Sequence, residues 1–109
     1  MYLTEKEMEI FNSHFMIVET RASVTVHSEL NQSELTSDIN EMESLDEVSL
    51  DLFYEDSSMT ESEYSIQNRR SQQVVRDDFD FDDIDSVKAV IQELVNEVIK
   101  NKTILGAVI

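Results

Sequence analysis

From Ile84 onward the apolar residues keep a helical period: Ile84, Val87, Val90, Ile91, Leu94, Val95, Val98 and Ile99 fall along one side of a helix. Asp82 or Asp83 stands where it can cap the first turn, and Lys100 and Lys102 come late, matching the positive N-terminal and negative C-terminal ends of a helix. An apolar side of that width has to be covered by a second layer. The rest of a 109-residue chain must supply that layer, which is the size of one domain with one modest core.

What precedes the helix alternates between two periods. Thr4 with Glu7 three residues on forms a capping box, and Met8, Phe11, Phe15 and Val18 predict a first helix from Thr4 to about Thr20. His14 lies on a neighbouring side of that helix, where a packed, hydrogen-bonded role is expected for it and not ligand binding. From Ala22 to His27 the period drops to two, as it does again from Val48 to Glu55, and both stretches predict half-buried strands. Between them Leu35, Ile39, Met42 and Leu45 predict a short amphipathic helix over Ser33 to Leu45.

Asp56 to Arg76 is poorly patterned and predicts a polar, acidic connection, with Thr60 and Glu63 able to cap a short helix carrying Tyr64. Val75, Phe79 and Phe81, alternating with Asp78, Asp80 and Asp82, predict a third strand with an acidic outer face. The apolar residues of Ile104 to Ile109 suit a closing strand or a docking peptide. The expected fold class is therefore α+β: a small single domain over 1–109, with two to four short antiparallel strands packed against an N-terminal and a C-terminal helix.

Proline is absent and Gly106 is the only glycine, so turns fall to Asn, Asp and Ser, and a glycine loop that cradles phosphate cannot be built. Without cysteine there is no disulfide, no thiolate zinc site and no thiol catalysis. The acidic start lacks the pattern of a signal peptide, and no run reaches the ~18 apolar residues of a membrane span. A cytoplasmic setting is expected, without membrane contact, and a host's cytoplasm if the protein is viral. No hydrolase or nucleotide motif is present, so the chain is expected not to be an enzyme and to need no cofactor.

Charge carries the functional expectation. Twenty-four acids face eight Lys and Arg, a net charge of −16, and no Lys or Arg occurs between Arg21 and Arg69. Within that gap Glu34, Asp38 and Glu41 are four and three apart, which would align them on one helix face, and Glu43, Asp46, Glu47, Asp51, Glu55 and Asp56 follow. Like charges so stacked weaken a helix, so either they form an ordinary solvated surface or an external basic partner explains them. Duplex DNA carries a charge every ~1.7 Å of axis, and a sparser carboxylate array can still compete for Lys and Arg clefts that hold phosphate.

Asp78, Asp80 and Asp82 add a second acidic run interleaved with aromatic rings, suited to a basic surface with an apolar pocket. Their spacing is that of the first three ligands of an EF-hand loop, but Asp83 occupies the glycine position and Ala89 the closing glutamate position, so a metal site is not expected. Arg69, Arg70 and Arg76 are too few to bind nucleic acid directly against −16, and are expected to tether the chain to its own acids.

Together these features predict a small acidic inhibitor that occupies the basic surface of a partner, a nucleic-acid-binding enzyme above all. It would act in the manner of a DNA mimic such as a phage-encoded anti-defence protein, as a monomer or small homo-oligomer. The alternative is a structural assembly subunit or chaperone-like adaptor that self-associates through its C-terminal helix and apolar tail.

Overall fold

The first helix, α1 (Glu5–His14), begins at the expected capping box: the Glu7 N–H donates to Thr4 Oγ1 at 3.1 Å while the Thr4 N–H donates to Glu7 Oε1 at 3.0 Å. The bond from the Thr4 N–H is the main reason the Glu7 carboxyl is held below its ordinary value of 4.5; partial burial works against it, and hydrogen bonds to the Gln92 and Thr4 side chains reinforce it. A carboxyl lowered on folding stabilises the native state above its unfolded pKa, and that contribution drains away as pH falls through the folded value. The stability difference between the native chain and Glu7→Gln should therefore be constant above pH 4.5 and shrink below it in urea titrations. A difference independent of pH would mean that the charge of the Glu7 carboxylate contributes nothing to the box.

In the computed structural model residues 2–21, 26–48 and 62–108 are described. The helix ends at His14, and Phe15–Arg21 is not its continuation to Thr20 but strand β1. Ile17, Val18 and Thr20 are β-branched, and pairing on both sides outweighs their chance helical spacing. The His14 side chain is exposed, its ring tilted beside that of Phe15 with centroids 6.3 Å apart, and its carbonyl accepts the Arg69 N–H at 2.9 Å. Strand β2 (Val26–Glu29) follows and includes Val26 and His27 of the strand expected from Ala22; Ala22 to Thr25 lie outside the described residues.

Next comes α2 (Gln32–Asp38), then a 3-10 helix at Leu45–Val48. The expected helix to Leu45 stops at Asp38 because the N–H groups of Glu41 and Met42 both turn onto the Asp38 carbonyl. Its apolar set survives intact, and Leu35, Ile39, Met42 and Leu45 are all buried. Val48 belongs to the 3-10 helix and not to a strand; the remainder of that expected strand, 49–55, lies outside the described residues.

The supposed connection is where the sheet is completed. Strand β3 (Ser62–Asn68) replaces the short helix expected around Tyr64, and β4 (Val74–Arg76) follows. Asn68 Oδ1 accepts the N–H groups of Arg70 and Ser71, and Gln72 takes φ 61°, so the intervening turn is made without glycine. The antiparallel order is β2-β1-β3-β4, with Ile17 opposite Ile66 and Glu19 opposite Tyr64. Between Ile66 and Gln67 the β4 register slips from Arg76 to Val74, leaving Val75 as an exposed bulge.

The strand expected through Phe79 and Phe81 ends at Arg76. Phe79 is buried and Phe81 lies against Tyr64, ring centroids 4.9 Å apart. Helix α3 (Ile84–Val108) then closes the core with Val87, Val90, Ile91, Leu94 and Val95 against Phe11, Ile17 and Ile66. Its backbone stays helical through 104–108, which removes the closing-strand reading of the tail. Two charged side chains are also enclosed, Glu19 on β1 at 2% exposure and Lys88 on α3 at 4%; buried charge is tolerated only when partnered.

Candidate protein-binding surface

Asn31 starts α2, its side chain accepting the Glu34 N–H at 3.3 Å, and this places Glu34 in the first turn and Asp38 at the last residue. Both are exposed and one turn apart, on the flank of α2 beside buried Leu35. Glu41 and Glu43 are exposed beyond the helix end, so the acidic line continues into the turn, although Glu41 has left the helix that was to align it. Glu47 is exposed, yet its carboxylate folds back to accept the N–H groups of Glu43 and Ser44. The Asp46 side chain and the whole of Asp51, Glu55 and Asp56 lie outside the described residues.

Among the described residues, Glu34, Asp38, Glu41 and Glu43 meet no cation. Asp38 also sits at the negative end of its helix, with no basic residue in the last turn. Glu34, in the first turn, suits the positive end of α2, but local stability does not account for Asp38, Glu41 and Glu43.

Asp78, Asp80 and Asp82 occupy the loop before α3 and not the outer face of a strand. Arg76 bonds Asp78 Oδ1 through Nε at 2.9 Å and Glu93 Oε2 through a terminal nitrogen at 2.7 Å. Those hydrogen bonds push the Arg76 guanidinium up, and the bond from Arg76 is the chief cause of the lowered Asp78 carboxyl. Asp80 Oδ1 accepts the Asp82 N–H at 3.0 Å, and Asp83 caps α3 by accepting the Asp85 N–H at 3.1 Å. This second run is thus partly committed to the fold.

Arg69 is committed in the same way: Nε donates to the Asn12 carbonyl at 2.8 Å and a terminal nitrogen meets Glu29 at 2.7 Å. Arg69 and Arg76 therefore do serve the chain's own acids and carbonyls, as expected, while Arg70 is exposed.

Residue spacing gave no sign of an open groove of about 570 Å³ between α1 and α2, lined by Glu9, Asn12 and Ser13 on one side and Gln32, Ser33, Thr36 and Ser37 on the other. A second hollow of about 510 Å³ lies by Thr20, Tyr64, Val74 and Phe81. Among the described residues no three His, Asp or Glu side chains converge as metal ligands, and no helix is long and apolar enough to cross a membrane.

Comparison with known proteins gives no match: no family model fits the chain, and no curated protein or solved structure is detectably similar to it.

Proposed function

We propose that this protein is a non-enzymatic acidic antagonist that binds the basic, phosphate-holding surface of a partner protein, above all a nucleic-acid-binding enzyme, in the cytoplasm. One observation supports this reading before others: Glu34, Asp38, Glu41 and Glu43 are exposed without a cation among the described residues, while Arg69 and Arg76 are spent on internal ion pairs. Glu34 and Asp38 stand about 6 Å apart along the axis, a carboxylate row within reach of a cleft that reads phosphates by charge. Direct contact with nucleic acid is opposed by the net charge of −16.

The test is capture of the partner on immobilised protein at low and high salt, followed by competition with duplex DNA. The expected partner leaves as salt rises and is displaced by DNA, because exposed charges more than ~10 Å apart are screened at 0.1 M salt. A partner retained in high salt and indifferent to DNA would refute the reading.

Helix α3 favours a second reading, an assembly subunit. Its last described buried residue is Val95, Ile99 is 45% exposed, and the backbone remains helical to Val108, so the helix runs on past its described core contacts. Light scattering on the full chain and on a chain ending at Asn101 separates the two. The antagonist reading expects a monomer or small closed oligomer from both; large assemblies lost on truncation would establish the subunit reading.

A further inference from the structure

The groove between α1 and α2 is rich in acceptors. Ser13 Oγ donates to the Glu9 carbonyl at 2.8 Å, Thr36 Oγ1 to the Gln32 carbonyl at 2.7 Å and Ser37 Oγ to the Ser33 carbonyl at 3.0 Å. Each of these hydroxyls spends its one proton on the backbone four residues back, so each offers the groove lone pairs only. Asn12 Nδ2 is turned onto Thr36 Oγ1 across the groove. Asn12 Oδ1 and Gln32 Oε1 are shut off from solvent and accept no hydrogen bond among the described residues. Glu9 adds a full negative charge at the rim, and no cation is among the described residues that line the groove; Lys6, one turn back on α1, lines an adjoining hollow that shares Glu9 and Ser13 with it. Those two oxygens lie behind the groove's surface; what faces a ligand is the Glu9 carboxylate and the lone pairs of the back-bonded hydroxyls, which suit a ligand rich in donors.

We infer that this groove seats an arginine side chain of the basic partner. A guanidinium carries five N–H donors and no acceptor, is planar enough to enter between two helices, and keeps its charge at any physiological pH. An ammonium offers three donors and is more strongly hydrated, so arginine is preferred to lysine here. Glu34 and Asp38 follow Ser33 and Ser37 by one residue each, about 100° further round α2, so the acidic face borders the groove and would draw in a basic segment. This inference rests on the antagonist reading and adds to it a point of specificity that charge alone lacks.

The test uses the isotope-labelled full chain titrated with a short capped peptide alternating Arg and Gly, and with its Lys counterpart, followed by amide chemical shifts. The expected result is a shift set centred on Glu9 to Ser13 and Gln32 to Ser37, with binding of the Arg peptide about tenfold tighter than of the Lys peptide. Combining Glu9→Gln, Ser13→Ala and Ser37→Ala should erase that preference, and Ser33→Arg, which plants a guanidinium at the groove itself, should do the same. Equal affinity for both peptides, or shifts confined to Glu34, Asp38 and Glu41, would overturn the groove and leave the acidic surface standing. Absence of binding by either peptide at low salt would remove both.

Discussion

Replacing Phe11 by alanine should lower the unfolding free energy by about 3 to 5 kcal/mol, a large part of the 5 to 15 kcal/mol typical of a whole domain. Phe11 is fully buried, packs on Phe15 with ring centroids 5.6 Å apart, and projects from α1 into the cluster that α3 and the sheet share. Its ring is therefore a joint between layers, and alanine would leave a void that fixed strands cannot close. Urea titration of both proteins measures the difference, and Phe11→Leu should cost clearly less because most of the volume is kept. A loss under about 1 kcal/mol for the alanine variant would mean that α1 is not docked on the core.

The largest effect on binding should come from Glu34→Gln, Asp38→Asn and Glu41→Gln together. Exposed ion pairs contribute ~0.2–1 kcal/mol each, so losing three weakens partner affinity by about tenfold. The dependence of affinity on salt should flatten as well, since fewer charges remain to be screened. Folding should be nearly unchanged: the triple variant relieves the Glu34–Asp38 repulsion, worth a few tenths of a kcal/mol, and removes the acid at the C-terminal end of α2, which offsets the loss of the favourable acid in its first turn. Affinity and salt dependence equal to those of the native protein would take this face out of the interface.

The two terminal helices and the interior of the middle segment were legible in sequence because each is written in many residues. The stripe of α3 repeats over four turns, the Thr4–Glu7 box fixes the start of α1, and Leu35, Ile39, Met42 and Leu45 all turned out buried. The central strands were not legible. In β1 the inward series is Phe15, Ile17 and Glu19, whose charged member hides the alternation, and Phe15 and Val18 happen to extend the helical spacing of Met8 and Phe11. In β3 only Tyr64 and Ile66 mark the inner face among Ser, Glu and Gln, too few to betray a strand whose stability comes from its neighbours. The acidic face could be suspected from charge counts, but which acids are spent at home depends on long-range pairs such as Arg76 with Glu93. The groove could not be foreseen, since its two walls are brought together only when α1 packs on α2.

The sheet order has a kinetic consequence. Strand β1 meets β3 across 41 to 53 residues of chain, so joining the local β1–β2 and β3–β4 pairs into one sheet waits on a non-local closure. Meanwhile the β1–β2 hairpin displays Phe15 and Ile17 along an open edge, the kind of intermediate that sticks to its own kind. A chain of net charge −16 repels other copies of itself throughout that interval. The charge that suits the folded protein to a basic partner thus also keeps its half-formed sheets apart.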